Sequence, residues 1–235
     1  MRSVKGRWGE IWFYGKDEYV GRSLFNYGEY NPDETEMILA LATEAGKDRL
    51  CLDIGSNFGV MAQALEANGF TCVAFEPQPD VYDVLVKNVH GITMNIGLGD
   101  VPGVAKMAKI LRGSRANYGG SGIGFRSELG TIDVRVDTLD NIGFSNVGFM
   151  KIDVEGFEEK VLQGGKELIL RDRPIMYIED DRTALSASLR AYIVGLGYTI
   201  EEHKPPLFRE NNFFKNKENV WGKNYVSHNI ICRPC

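Results

Sequence analysis

Apolar positions along the chain recur with two different periods. Short, nearly continuous apolar runs at residues 50–54, 71–75, 92–96, 147–152 and 175–178 predict strands covered on both faces. Between them, apolar positions recur three and four apart, which predicts helices through Met61, Leu65 and Asn68, over 79–89, near 157–163 and over 183–194. An earlier helix runs through Met37, Ile38, Leu41 and Ala45, with Asn31 placed to cap it, Pro32 at its first position and Gly46 to end it. Strands alternating with helices imply an α/β fold with a mostly parallel sheet and helices on both faces. Residues 198–201 and 226–232 read as closing strands. Residues 104–110 and 132–136 read as an inserted antiparallel β-hairpin with a Gly-rich loop between its strands.

Residues 1–30 break this rhythm. Trp8, Trp12, Phe13, Tyr14, Tyr19, Phe25, Tyr27 and Tyr30 alternate with glycines and polar residues, which predicts one or two short strands and turns. The expected organisation is an aromatic-rich extension or lid over 1–32, packed on a ligand-binding domain over 33–235.

Composition changes little in this picture. The 235 residues are 43% hydrophobic and 25% charged, as in ordinary globular chains. A net charge of -5 gives no reason to expect a nucleic-acid partner. No run reaches the roughly 20 apolar residues of a membrane span. The first residues carry no apolar leader, so the expectation is a cytoplasmic protein with reduced thiols. Cys51 and Cys72 lie in strand-like runs and read as core residues. Cys232 and Cys235 lack a second ligand pair for zinc. The oligomeric state stays open.

Candidate chemistry begins at Asp53-Ile54-Gly55-Ser56-Asn57-Phe58-Gly59. A buried strand runs into a Gly-rich turn and then a helix, which lets a ligand approach the backbone. The next strand ends at Phe75-Glu76-Pro77, where a carboxylate could accept from both hydroxyls of a ribose. Nicotinamide dinucleotides and S-adenosylmethionine both use such an arrangement. The dinucleotide fingerprint places Gly where Asn57 stands, to admit a pyrophosphate. Asp53 would repel phosphates but suits a ligand with an ammonium and a sulfonium. The turn therefore favours S-adenosylmethionine. A nicotinamide-dependent oxidoreductase and a non-catalytic cofactor-binding subunit are the alternatives.

Four segments together resemble the FkbM family of methyltransferases: Asp53 to Gly59, Phe75-Glu76-Pro77-Gln78-Pro79, Val136-Asp137-Thr138-Leu139-Asp140 with Met150-Lys151-Ile152-Asp153-Val154-Glu155-Gly156, and Ser227 to Cys232. The resemblance covers about residues 33 to 179 well and the last ten residues loosely. It implies a Rossmann-like class I methyltransferase fold with a seven-stranded sheet. It also implies that Asp53, Gly55, Ser56, Asn57, Phe58 and Gly59 hold the methionine half of S-adenosylmethionine. Glu76 and Pro77 would then lie at the ribose, and Gly97 and Leu98 near the adenine.

Methyl transfer to a hydroxyl needs in-line geometry and a way to remove a proton. If residues 151–155 were strand, Lys151, Asp153 and Glu155 would share one face at the pocket mouth. Asp153 is the candidate base, Lys151 a group that lowers a hydroxyl pKa, and Glu155 an orienting or helix-capping acid. Asp153, Glu179 and Asp180 could also offer oxygens to a divalent cation. Asn117 and Ser121 in the Gly-rich loop, together with His228 and Asn229, are candidate substrate contacts. The expected reaction is O-methylation of a sugar, glycan or small natural product.

Overall fold

The computed structural model describes residues 1–235. The chain opens with a hairpin, β1 (Arg2–Gly6) and β2 (Gly9–Phe13), then helices α1 (Val20–Tyr27) and α2 (Pro32–Ala45). Alternating elements follow: β3 (Leu50–Ile54), α3 (Val60–Ala67), β4 (Cys72–Phe75), α4 (Pro79–Asn88) and β5 (Ile92–Met94). Next come β6 (Gly97–Leu98), β7 (Gly103–Ala108), β8 (Thr131–Asp137) and α5 (Leu139–Ile142). The chain ends with β9 (Val147–Ile152), α6 (Glu158–Gly164), α7 (Lys166–Asp172), β10 (Ile175–Glu179), α8 (Thr183–Gly195), β11 (Tyr198–His203) and β12 (Asn229–Pro234).

The main sheet runs β11-β12-β10-β9-β3-β4-β5. Its β10-β9-β3-β4-β5 part is parallel, and β12 lies antiparallel between β10 and β11. Strand alternation splits the core in two. Leu52, Ile54, Met150, Ile152, Met176 and Ile178 pack against α6, α7 and α8. Cys51, Cys72, Phe149, Ile175 and Tyr177 pack against Ile38 and Leu41 of α2 and Met61 and Leu65 of α3. Each such buried side chain contributes about 1.5–3 kcal/mol through removal from water. Two residues along each strand, this second face turns polar: Asp53 follows Cys51, Lys151 follows Phe149, and Glu179 follows Tyr177. That polar layer builds the site.

Helices α5 and α7 have no counterpart in the sequence reading, and four other local features differ from it. First, the opening segment contains a helix, α1. Its first turn is held by Asp17, whose Oδ1 accepts from the Tyr19 and Gly21 N–H at 3.1 and 2.7 Å. Its glycine and aromatic residues have weak helix propensity, so tertiary contacts and this carboxylate stabilise it. Second, Asn31 does not cap α2. Its backbone is left-handed (φ 44°), and its Nδ2 donates to Glu34 and, at 2.9 Å, to Ser227 Oγ. Third, the last strand lies further along than residues 226–232, and Val226 makes only an isolated bridge to Pro206. Fourth, the insertion is a three-stranded sheet, because β6 pairs with β8 beside the β7–β8 hairpin.

The opening hairpin and α1 pack on α3 and α4 through Ile11, Phe13, Leu24, Phe58, Val81 and Val84. Cys51, Cys72 and Cys232 are buried and all four cysteines are free. No helix is long and apolar enough to cross a membrane.

Candidate active site

A cavity of about 520 Å³ opens over the carboxyl ends of β3, β4, β9, β10 and the start of β12. Ligands of open α/β sheets bind at such strand ends.

One half is built by the turn after β3. The Gly55 and Ser56 N–H both donate to the Phe75 carbonyl, at 3.1 and 2.9 Å. Ser56 Oγ donates to the Asp53 carbonyl at 2.7 Å and accepts from the Phe75 N–H at 3.1 Å. Gly55 has φ 81°, and a Cβ there would stand 1.8 Å from the Asp153 carbonyl oxygen. Only glycine fits this crossing of two strand ends. Beyond it, the Asn57 N–H donates to Glu76 Oε2 at 3.0 Å, and the Gln78 N–H to Glu76 Oε1 at 2.8 Å. Burial pushes the Glu76 carboxyl up to about 7, against the pull of these two N–H groups. Gly55, Ser56, Asn57, Glu76, Pro77, Gly97 and Leu98 all line the cavity. Asn57 Oδ1 and Ser121 Oγ are buried there without a hydrogen-bond partner in the protein.

Three residues of the turn do not reach the cavity. Phe58 is fully buried in the core shared with the opening segment. Gly59 starts α3 with φ 83°, its hydrogen facing Leu85 and Val89. Asp53 lies beneath the cavity floor, fully buried, with Lys151 Nζ 3.6 Å from its Oδ1. The helix start and the strand pleat turn these side chains inward, and the motif itself does not display that depth.

The other half gathers charge. Lys151 Nζ, 5% exposed, donates to the Gly55 carbonyl at 3.1 Å and pairs with Asp153 Oδ2 at 3.2 Å. The Asp153 and Asp53 carboxylates hold its ammonium above the ordinary lysine range despite burial. The strand ends at Ile152, so Glu155 does not continue the face of Lys151 and Asp153. Its backbone is left-handed (φ 57°), and its carboxylate pairs with Arg182. Nor does Glu155 cap the next helix: Glu158 accepts the Val154 and Gly156 N–H instead, at 3.1 and 3.0 Å. Burial pushes the Glu155 carboxyl up to about 7 and that of Glu179 well above its usual range.

Oxygens of Asp153, Glu155 and Glu179 lie within 4.8 Å of one another. Asp180 does not join them. Alternation on β10 turns it to the opposite face, where it accepts from Arg190 Nε at 2.7 Å and Ser186 Oγ at 2.9 Å. Glu155 therefore takes the place that the sequence reading assigned to Asp180.

Asn117, Ser121, His228 and Asn229 all line the cavity. Asn117 Oδ1 accepts from the Gly120 N–H at 3.0 Å and shapes the loop. The loop is tethered at its neighbour Tyr118, whose N–H donates to Asp17 Oδ2 at 2.9 Å and whose ring stacks on Tyr14. His228 is exposed and Asn229 buried.

The sequence reading missed Tyr30, Glu34 and Arg182, which also line the cavity. Glu34 is 6% exposed, and burial pushes its carboxyl up to about 7. A signal for it was present: Glu34 shares the apolar stripe of Ile38, Leu41 and Ala42, where a solvated helix-start acid would not lie.

The order of the parallel strands and the glycine turn after β3 are those of a class I methyltransferase fold. Residues 53–215 match the Methyltransferase FkbM domain, and the chain belongs to that family. Among solved structures, it is similar to the methyltransferase FkbM from Methylobacillus flagellatus KT (15% identity, TM-score 0.55, covering 92% of this chain and 55% of that one). It thus spans about half the length of that relative. It is also similar to the precorrin-6y C5,15-methyltransferase from Geobacter metallireducens (11% identity, TM-score 0.53, 86% and 88% covered). A third is the magnesium protoporphyrin IX methyltransferase from Synechocystis, solved with bound SAM (10% identity, TM-score 0.50, 86% and 79% covered). At these identities the likeness is one of fold. No curated protein matches the chain.

Proposed function

We propose that the chain is an S-adenosylmethionine-dependent O-methyltransferase acting on a hydroxyl of a sugar, glycan or other small natural product. The observation that carries this reading is the junction of two sites in one cavity. Glu76 and the unpartnered Asn57 Oδ1 lie on one side, and the Lys151–Asp153 pair on the other. The residues present suit the donor. Glu76 Oε1 and Oε2 each accept one backbone N–H and keep a further lone pair for a ribose hydroxyl. Asn57 Oδ1 is free to accept from an ammonium, and Gly97 and Leu98 line the part of the cavity where the purine would lie.

When bound, S-adenosylmethionine would supply an electrophilic methyl group, open to in-line attack by a hydroxyl oxygen with S-adenosylhomocysteine as the leaving group. Asp153 receives the hydroxyl proton, and the Lys151 ammonium steadies the carboxylate and the developing alkoxide. Glu155, fixed by Arg182, orients the acceptor. Asp153, Glu155 and Glu179 also offer three oxygens to a hard divalent ion, and turnover with and without chelator separates the two versions. Isothermal titration with S-adenosylhomocysteine tests the donor site, and absence of binding to the folded chain would refute it. Asp153→Asn should then keep that binding and lose turnover by about 10²–10⁴-fold. Persistence of turnover removes Asp153 as the base.

A further inference from the structure

The far end of the cavity holds more acidic side chains than cations. Lys151 and Arg182 are its cations, and both are committed: Lys151 to Asp53 and Asp153, Arg182 to Glu155 and Asp181. Glu34 and Glu179 line the same cavity with no cation within ion-pair distance, and Glu179 Oε2 has no hydrogen-bond partner. A second, independent observation lies on the neighbouring strand. Asn229 is 5% exposed, lines the cavity and leaves its Nδ2 without a partner. Glu179 and Asn229 are direct cross-strand partners, so their side chains stand side by side on one face.

This pair is remote from the donor. Strands β3, β9, β10 and β12 are consecutive, and neighbouring strands lie about 4.8 Å apart. Glu179 and Asn229 therefore stand about 10 and 14 Å from the turn that follows β3. Their open positions are complementary: Glu179 Oε2 has room for a donor, and a ligand ammonium both donates to it and draws its carboxyl into the ionised form, while Asn229 Nδ2 takes an oxygen. A neutral polyol satisfies the amide but supplies no charge to hold the carboxyl in its ionised form, so it gains less from Glu179 than an ammonium does. A phosphate or carboxylate on the ligand is repelled. A hard divalent ion needs six or more oxygens. Two of the three carboxylates here are already held by Lys151 and Arg182, whose charges oppose a metal.

We infer that the methyl acceptor is an amino alcohol of aminosugar or aminocyclitol type, its ammonium held by Glu179 and a neighbouring oxygen by Asn229. This assignment rests on the methyl-transfer reading. It leaves another hydroxyl of the acceptor to face Asp153.

The test uses the full chain saturated with S-adenosylhomocysteine, whose own affinity is measured first and judges the donor site separately. Glucosamine, glucose and glucose 6-phosphate are then titrated, with binding read by saturation-transfer NMR and calorimetry. Glucosamine should bind at least tenfold tighter than glucose, and glucose 6-phosphate should not bind. Glu179→Gln should bring glucosamine and glucose to within about twofold of each other. Asn229→Ala should weaken both sugars while keeping the preference. The S-adenosylhomocysteine affinity of each variant shows whether its fold is intact. Equal affinities for the two sugars, no binding of glucosamine, a preference that survives Glu179→Gln, or a preference that disappears with chelator would each overturn the assignment.

Discussion

Lys151→Met puts the charged floor to its most direct test. The substitution keeps an unbranched side chain up to the ε position and removes the ammonium. Asp53 beneath it is fully buried, and neither of its oxygens has a hydrogen-bond partner. Lys151, 3.6 Å away, is the one cation that faces it. Removing one member of a buried ion pair costs about 3–5 kcal/mol, because the other charge stays desolvated. For a domain of this length each kcal/mol lowers Tm by roughly 2–4 °C, so the expected drop is on the order of 10 °C. The pH dependence has a definite sign. Burial already holds the Asp53 carboxyl above its ordinary value, and loss of Lys151 raises it further. A group raised in the folded state stabilises the fold while protonated and stops doing so as pH rises through its folded value. The deficit should therefore be larger near pH 8 than near pH 5. Asp53→Leu combined with Lys151→Met removes both charges and should recover most of the loss. Urea unfolding of wild type, both single variants and the double variant measures this. The reasoning fails if Lys151→Met costs under about 1 kcal/mol, or if the double variant is no more stable than Lys151→Met alone.

Three further outcomes follow from the geometry. Glu76→Gln should weaken S-adenosylhomocysteine binding at least tenfold, or about 1.4 kcal/mol, in calorimetry. Because burial pushes Glu76 up to about 7, wild-type affinity should also fall as pH drops below that value and the carboxylate takes a proton. Gly55→Ala places a Cβ 1.8 Å from the Asp153 carbonyl oxygen at φ 81°, and should cost more than about 4 kcal/mol or prevent folding, seen as lost cooperative unfolding by circular dichroism. Asp17→Ala removes the acceptor of the Tyr19, Gly21 and Tyr118 N–H groups. It should cost about 1–2 kcal/mol at the start of α1 and speed amide exchange at Tyr118, while exchange in β3 stays slow.

The sheet was legible because its central strands are covered on both faces. Their apolar runs cannot be mistaken for solvated segments, and the boundaries of β3, β9 and β10 fall within a residue of the expected ones. Helix α1 was not legible. Val20 to Tyr27 contains a glycine, an asparagine and two aromatic residues, and its first turn depends on Asp17 and on packing against the hairpin. The left-handed Asn31 was hidden for a similar reason. A helix-start asparagine ordinarily caps, and here Glu34 together with Ser227, 196 positions along the chain, draws its side chain away.

Within the site, sequence motifs gave the identity of the polar residues but not their depth. Asp53 and Asp153 look alike in the chain, each an acid near the end of an apolar strand. The first lies within β3 and points to the α2 face under the floor, and the second lies one residue past β9 and reaches the cavity. Glu179 and Asp180 differ in the same way, because one step along a strand reverses the face. Depth and face follow from where a strand stops, and no local pattern states that to within one residue. The composite end of the cavity is further from view. Glu34, Lys151, Glu179 and Asn229 come from α2, β9, β10 and β12. They meet because β12 runs antiparallel between β10 and β11, and because α2 lays one acid on its apolar stripe over the same strand ends. Local spacing therefore reveals the half of the cavity that one turn and one strand end form. The opposite end of the cavity is a product of sheet order and helix packing, so α2 can reshape it through Glu34 while every recognisable motif stays intact.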